Sequence, residues 1–306
     1  MKILLTGSSG MVGRNILEHV GSNLYEFLLP SSEELDLTDR MVVQAYLSEN
    51  SPDLIIHSAG LVGGIQANIA RPVDFLKTNT LMGVNLVSCA YDCGVPQFLN
   101  LASSCMYPKD GVNPLREKQL LSGILEPTNE GYALAKLVTT RLCEYVCKQN
   151  PKLIYRTLIP CNLYGRFDHF ESSRSHLIPA VIKKIEEAIS TNAAEVEIWG
   201  DGKARREFMF AEDLADFIFF AIPSLGELPH NMNVGLGFDY TINEYYETTA
   251  SVMGFNGEFC HDLSKPIGMR QKLVDTTFQK NLGWTPKTSL EMGLRKTVEF
   301  YRSEKC

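Results

Sequence analysis

The sequence predicts an α/β fold in which a doubly wound parallel sheet is joined by a smaller, interleaved C-terminal lobe. Short apolar runs alternate with helical segments as far as residue 165, which is typical of parallel strands connected by helices. A glycine-rich turn follows the first apolar run directly. Beyond residue 165 the alternation breaks into shorter pieces. We therefore expect residues 1–165 to form one domain and residues 166–306 mainly a second lobe, with a return to the first domain around residues 205–240.

The individual elements follow from the apolar runs and their spacing. Apolar runs predict strands at 2–6, 25–29, 53–57, 97–101 and 153–159. Helical spacing predicts helices at 13–20, 39–48, 73–93 and 130–149. In the second lobe we expect helices at 179–189 and 213–222 and short strands at 196–199 and 208–210. Right-handed crossovers would place the carboxyl ends of the parallel strands on one edge, where ligands bind in such folds.

The composition is that of a globular protein with an ample core, because 44% of its 306 residues are hydrophobic and 21% are charged. A net charge of −7 without any basic block argues against nucleic acid as a partner. Among the eight cysteines, the pairs Cys89/Cys93 and Cys143/Cys147 have no adjacent histidines that would complete a zinc site. No apolar run reaches the roughly 18 residues of a membrane span. We therefore expect a cytoplasmic protein with reduced thiols, no metal and no membrane contact.

The glycine-rich turn predicts a site for the pyrophosphate of a dinucleotide. Its Gly-x-x-Gly-x-x-Gly pattern follows strand 2–6 and opens a helix. Glycines let the backbone approach a pyrophosphate, and the helix N-terminus supplies amide donors and a positive dipole. This context indicates a Rossmann sheet, and the residues predicted to bind the dinucleotide here are Gly7, Ser8, Ser9, Gly10, Met11, Val12 and Gly13.

The end of the second strand bears on which dinucleotide is bound. Enzymes that use NAD usually place an acid there to hold the ribose 2′-hydroxyl, but this chain reads Leu29-Pro30-Ser31-Ser32. The lack of an acid favours NADP over NAD, although no arginine takes its place. Asp36 is either a contact to the adenine edge or a solvated turn acid. Further predicted dinucleotide contacts near strand ends are Ser32, Ala59, Gly60, Leu101 and Ala102.

Ser103, Tyr132 and Lys136 form the pattern of a site that reduces a carbonyl. Ser103 follows the fourth strand on the ligand edge, and Tyr132 and Lys136 share one face of a helix because they are four residues apart. Lys136 can lower the pKa of the Tyr132 hydroxyl and contact the nicotinamide ribose. Tyr132 can then protonate the carbonyl oxygen while hydride reaches the carbon. The alternative is an ordinary amphipathic helix.

These motifs resemble those of the extended short-chain dehydrogenase/reductases. The resemblance is stronger to the branch of epimerase/reductases that act on GDP-4-keto-6-deoxy-mannose, and it runs nearly end to end. The stretches that carry it are Gly10–Gly13, Val62–Ile65 with Asn68, Ser103–Pro108, Glu126–Glu130, Asn162–Gly165, Ser175–Pro179, Trp199–Gly200 and Arg206–Phe208.

The resemblance implies that Cys105 is the base and His176 the acid of an epimerisation. A C4 ketone acidifies the protons at C3 and C5, and their removal gives an enolate that Tyr132 and Ser103 can stabilise at the oxygen. A thiolate on one face and a histidine on the other permit inversion. Cys105 could instead be a small buried thiol, and His176 a structural or cofactor-contacting residue.

The same resemblance implies the remaining contacts. It assigns Lys184 to the nucleotide sugar, although a plain surface lysine is the alternative. It also implies a homodimer in which helices 73–93 and 130–149 pack against their mates. The other residues implied to bind the sugar nucleotide are Trp199, Arg206 and Lys272. Those implied to contact the nicotinamide end of NADPH are Lys136, Pro160, Asn162, Leu163 and His176.

Two departures from the family pattern separate the functional hypotheses. The pattern Pro-His becomes Arg166-Phe167, and the acid of Lys-Pro-Asp-Gly becomes Ile267. Both leave the reducing residues untouched. The first hypothesis is a bifunctional epimerase/reductase, and the second is a C4 reductase on a related GDP-4-keto-6-deoxy-hexose or -heptose. A non-catalytic dinucleotide sensor is the third, and the presence of Tyr132 and Lys136 argues against it.

Overall fold

A computed structural model of the chain describes residues 1–171, 175–265 and 268–304. Its strands are β1 Lys2–Thr6, β2 Glu26–Leu28, β3 Leu54–His57, β4 Gln97–Leu101, β5 Ile154–Pro160, β6 Asn162–Tyr164, β7 Glu195–Trp199, β8 Arg205–Arg206, β9 Phe208–Phe210, β10 Asn231–Val234, β11 Tyr240–Thr241, β12 Glu258–Asp262 and β13 Gln271–Lys272. Its α-helices are α1 Met11–Glu18, α2 Arg40–Asn50, α3 Ile65–Ala70, α4 Pro72–Asp92, α5 Glu130–Gln149, α6 Leu177–Thr191, α7 Ala211–Ala221, α8 Ile242–Met253, α9 Thr277–Asn281 and α10 Leu290–Ser303.

The main sheet confirms the predicted fold class. Its strand order is β10-β5-β4-β3-β1-β2, and every neighbouring pair is parallel. Strand β2 lies on one side of β1 in the sheet, and β3, which follows β2 in the chain, lies on the other side of β1. The switch point of the sheet therefore lies between β1 and β3, where a crevice opens at the carboxyl ends of the strands.

Three helices begin two residues earlier than the sequence predicts, and one of them is α7, which begins at Ala211 instead of residue 213. Helix α1 begins at Met11 instead of residue 13, because Gly10 serves as its N-cap and the phosphate loop runs directly into the helix. Helix α6 begins at Leu177 instead of residue 179, since a proline in the first turn has no helical hydrogen bond to lose. The earlier start makes His176 the N-cap residue of α6.

The second half of the chain is interleaved with the sheet. Strand β10 joins the edge of the sheet beside β5, and β6, which follows β5 closely, pairs with β9. Helices α6, α8 and α10 enclose a separate buried cluster that includes Ile182, Tyr245 and Leu294. The part of this region that the structure describes contains three small sheets: β11-β8-β13, β12-β7 and β6-β9. Strands β8 and β13 matter most for the site, because they carry two of the predicted substrate-binding cations.

Among the described residues, no helix combines the length and apolar character needed to cross a membrane. The cysteines within the same ranges are all free thiols.

Candidate active site

The glycine loop has the shape that a pyrophosphate cradle needs. Gly7 has a φ of +72°, and a Cβ there would come within 2.7 Å of the backbone nitrogen of Ala59. Only glycine therefore allows the loop after β1 to pass so close to the loop after β3. Gly10 caps α1 without any side-chain hydrogen bond, so the first amides of the helix keep their donors for an anion. The loop fits the dinucleotide that the sequence predicts.

The loop after β2 contains the predicted Ser32 and Asp36, both exposed. One Asp36 carboxylate oxygen accepts hydrogen bonds from the Thr38 backbone amide at 2.8 Å and from its hydroxyl at 2.7 Å. These bonds lower the pKa of Asp36. That oxygen is thus engaged in a local turn, whereas the adenine contact stays a prediction.

Lys136 brings three predicted segments together. Its ammonium donates to the Leu101 carbonyl oxygen at 3.0 Å, where β4 ends. The same nitrogen lies 5.7 Å from the ring centroid of Tyr132. It is also 3.8 Å from the position that a Cβ on Gly60 would occupy. Strand β4, helix α5 and the loop after β3 therefore converge on one buried cation.

Burial sets the protonation of this pair. It lowers the pKa of Lys136 to about 8. It also raises the pKa of the Tyr132 hydroxyl above its ordinary value, and the nearby Cys105 adds to that effect. The phenol therefore holds its proton at neutral pH, which is the form a proton donor needs.

Cys105 lies in the same site as the reducing residues. Ser103 caps the single 3₁₀ turn that carries the cysteine, and its hydroxyl oxygen accepts the Cys105 backbone N–H at 3.3 Å. Burial raises the pKa of the Cys105 thiol, while Lys272, the Ser103 hydroxyl and Lys136 oppose the rise. The thiol is thus protonated at rest, with two cations near enough to favour its thiolate.

His176 approaches from the other lobe. A Cβ on Gly64 would come within 2.6 Å of the Ser175 carbonyl oxygen, so the loop after β3 packs tightly beside His176. The imidazole makes no capping bond to α6 and is exposed. Surrounding protein and the charges of Lys272 and His169 lower the pKa of His176. A neutral imidazole is favoured, so the acid role that the resemblance implies requires an anionic substrate to restore the proton.

Lys272 and Arg206 form a pair of neighbouring cations. They are register partners in the parallel pair of β13 and β8, so their side chains emerge on the same face. Burial lowers the pKa of both side chains, and Arg206 lowers that of Lys272 further. A Cβ on Gly268 would lie 3.3 Å from an Arg206 guanidinium nitrogen, which places this loop beside the cations. Ile267, the predicted departure, lies outside the described residues.

Lys184 and Trp199 form a second group. The Lys184 ammonium donates to the Glu197 carbonyl oxygen at 2.9 Å and lies 5.5 Å from the Trp199 ring centroid. Lys265 lies 5.6 Å from the same ring, which is 41% exposed. The exposed indole therefore has two ammonium groups around it, a surface suited to an aromatic base with attached phosphates.

Two residues of this neighbourhood were missed by the sequence analysis. Lys265 begins the Lys-Pro-Ile-Gly stretch, which the sequence analysis used only for the acid that Ile267 replaces. Glu207 is enclosed in the Arg206–Phe208 motif, and its backbone oxygen accepts the side-chain N–H of Asn162 at 2.9 Å. Both residues lie within stretches that carry the family resemblance or depart from it, and that position in the sequence could have identified them as candidates.

Comparison with known proteins places the chain among nucleotide-sugar enzymes. The model of the family described as "NAD dependent epimerase/dehydratase" matches residues 3–235. GDP-L-colitose synthase of Yersinia pseudotuberculosis is 55% identical over 305 residues, covering 100% of this chain and 99% of that protein. GDP-L-fucose synthase of Azorhizobium caulinodans is 48% identical, covering 98% and 96%. A GDP-mannoheptose C4 reductase of Campylobacter jejuni, solved with NADP bound, superposes with a TM-score of 0.88 at 28% identity over 98% of both chains.

Proposed function

This chain belongs to the NAD dependent epimerase/dehydratase family, and from that premise we propose that it reduces the C4 ketone of a GDP-4-keto-6-deoxy sugar with NADPH, accompanied by epimerisation. One observation carries the proposal. The Ser103 hydroxyl oxygen accepts the Cys105 backbone N–H at 3.3 Å, and the Cys105 thiol is near enough to Tyr132, Lys136 and Lys272 for their charges to interact. A reductase needs the phenol and the lysine, whereas a candidate base beside them serves a second reaction at the same carbonyl.

The domain assignment follows from this function. Residues 1–165 bind the dinucleotide through the loop Gly7–Gly13, and residues 166–306 mainly bind the GDP-sugar. The cofactor of the family is NAD(P), and the absence of an acid at the end of β2 supports NADPH. When bound, it supplies the hydride for the ketone.

We assign each proton transfer of the reaction to a particular residue of the chain. Tyr132 donates its phenolic proton to the C4 oxygen, and Ser103 holds the same oxygen by a hydrogen bond. Cys105 first releases its own proton to solvent, and the thiolate, favoured by Lys136 and Lys272, then removes the proton next to the carbonyl. His176, after taking a proton from solvent, returns one to the carbon from the opposite face. Lys136 orients the site by its bond to the Leu101 carbonyl.

A homodimer through α4 and α5 is part of the proposal. The two helices pack against each other and still expose the apolar side chains of Leu76, Leu81, Leu134 and Val138. An exposed apolar face on adjacent long helices suits an isologous contact.

A second candidate function is favoured by the 55% identity to the colitose synthase. Colitose is a 3,6-dideoxy sugar, so its C3 is not a stereocentre and only C5 can be inverted. The substrate would then be a GDP-4-keto-3,6-dideoxy sugar, with the same reduction at C4. Reduction without epimerisation is the remaining alternative, and the Campylobacter jejuni reductase supports it.

The test follows deuterium and product structure. The protein is incubated in D₂O with GDP-4-keto-6-deoxy-mannose or its 3-deoxy analogue, first without and then with NADPH. We expect deuterium at C5, and at C3 for the first substrate, followed by NADPH oxidation and an L-sugar product by NMR. Normal NADPH oxidation without any exchange would establish a C4 reductase alone. Absence of NADPH oxidation with either ketone would contradict the proposal.

A further inference from the structure

Glu207 is a buried carboxylate that follows Arg206 in the chain and accepts a hydrogen bond from the segment that carries Lys272. It is 0% exposed and links β8 to β9. We propose that Glu207 is a positioning residue that sets Arg206 and Lys272 for the diphosphate of the GDP-sugar, an inference that rests on the proposed function.

The Glu207 carboxylate joins two separate segments of backbone. One oxygen accepts the Gly237 N–H at 2.9 Å, just after β10, and the other accepts the Val274 N–H at 2.8 Å, just after β13. A Cβ on Gly235 would collide with the first of these oxygens, so glycine is needed there for the carboxylate to reach its place. Both carboxylate oxygens therefore accept hydrogen bonds, and the bond to Val274 fixes the position of β13.

The position of β13 decides where Lys272 points. Lys272 is the register partner of Arg206, so any slip of β13 against β8 separates the two cations. Val274 lies two residues beyond Lys272 on the same segment, which makes its bond to Glu207 an anchor for that register. Glu207 also lies near enough to raise the pKa of Lys272, in opposition to the effect of Arg206. One carboxylate thus supplies both the anchor and a compensating negative charge.

The residue also ties this cation pair to the predicted nicotinamide segment. Its backbone oxygen accepts the Asn162 side-chain N–H, and β6 pairs with β9 next to it. Burial raises the pKa of Glu207 to about 7, against the effect of its backbone hydrogen bonds. Glu207 therefore contacts both the segment that carries Lys272 and the predicted nicotinamide segment.

A matched control exists elsewhere in the chain. Asp213 is 4% exposed and also accepts two backbone amides, those of Lys287 at 3.3 Å and Thr288 at 3.1 Å. It fixes the segment before α10, away from the proposed substrate cations. Burial raises its pKa as it does that of Glu207. Asp213→Asn therefore reproduces the damage to a buried carboxylate without touching the cation pair.

The experiment compares Glu207→Gln with Asp213→Asn in the full chain. In each carboxylate the two oxygens accept different backbone N–H groups, and the amide replaces one oxygen by an NH₂ group, which cannot accept a hydrogen bond. One of the two backbone hydrogen bonds is therefore lost in each variant. For Glu207→Gln we expect the Kd for GDP and the KM for the GDP-keto sugar to rise about ten-fold, with kcat and the Kd for NADPH within about two-fold of wild type. Asp213→Asn should lower the Tm similarly and leave GDP binding unchanged.

Three outcomes distinguish a failure of the role given to Glu207 from a failure of the proposed function. A Glu207→Gln protein that loses Tm but binds GDP like wild type overturns the inference alone. A wild-type protein that binds no GDP overturns the proposed function as well. If Glu207→Gln does not fold, Gly235→Ala decides, because its methyl group displaces the carboxylate without removing the charge. It should weaken GDP binding selectively, and unaltered GDP binding there overturns the inference.

Discussion

The two sides of the candidate site are built in different ways. On the reducing side, Ser103, Tyr132 and Lys136 rest on β4 and α5, and the backbone of the sheet fixes them. On the opposite side, His176 is the exposed N-cap residue of α6. The sheet and the long helix constrain the first side, whereas side-chain contacts constrain the second.

Those contacts involve the residues that depart from the family pattern. Arg166 forms ion pairs with Glu18 of α1 at 2.7 Å and Glu212 of α7 at 2.9 Å. Phe167 has a φ of +68°, uncommon for an aromatic residue, and its ring lies 3.6 Å from the Arg14 guanidinium carbon. The segment leading to His176 is therefore tied to the helix that follows the phosphate loop. The departure Arg166-Phe167 thus falls where side-chain contacts hold the chain, whereas the reducing residues on β4 and α5 keep the family pattern.

The largest expected effect tests the reducing side. Tyr132→Phe removes the phenolic proton donor and should slow reduction about 10²–10⁴-fold. Binding of NADPH should stay unchanged, because the phosphate loop is untouched. The measurement is kcat for NADPH oxidation, with Tyr145→Phe on the exposed face of the same helix as the control. Equal rates in the two variants would remove Tyr132 from the mechanism.

The second prediction concerns the buried cation of that side. Burial lowers the pKa of Lys136 from 10.5 to about 8. Between these values the unfolded chain keeps a proton that the folded protein has released, so raising the pH stabilises the fold. Below about pH 8 Lys136 is charged in both the folded and the unfolded state, so the full free-energy cost of burying its ammonium group applies. Lys136→Met lacks this contribution, so its stability relative to wild type should fall by roughly 3 kcal/mol as the pH rises from about 8 to above 10.

Denaturant unfolding without cofactor at several pH values measures this difference. Lys148→Met, which replaces an exposed lysine on the same helix α5, serves as the control. A difference between Lys136→Met and wild type that stays constant across this pH window would show that the buried lysine titrates normally.

The smallest expected effect lies on the His176 side. Arg166→Ala removes two partly exposed ion pairs, which should cost about 1 kcal/mol of unfolding free energy. Because only the segment before His176 is loosened, deuterium exchange next to the ketone should slow a few-fold while reduction continues at its normal rate. Arg295→Ala, which breaks an exposed pair with Glu291 on α10, is the control. An equal loss of exchange and reduction would erase the distinction between the two sides.

The predictable part of the fold was the part with strong periodicity. Strands β1 and β4 have the predicted bounds, and α5 spans the predicted residues, because apolar runs and a long helix leave little choice of register. The start of α6 was wrong by two residues, since a proline in the first turn looks like a boundary. That small difference made His176 an N-cap residue, which periodicity could not reveal.

The sequence by itself determined the parallel sheet, the phosphate loop and the order of the reducing residues, because local patterns of glycine and apolar residues specify them. Only the tertiary structure decided that Lys272 stands beside Arg206, that the Glu207 carboxylate accepts backbone amides after β10 and after β13, and that Arg166 links the residues after β6 to α1. These relations join residues up to about 150 positions apart in the chain. Their physical cause is the packing of distant segments, which leaves no periodic trace in the sequence.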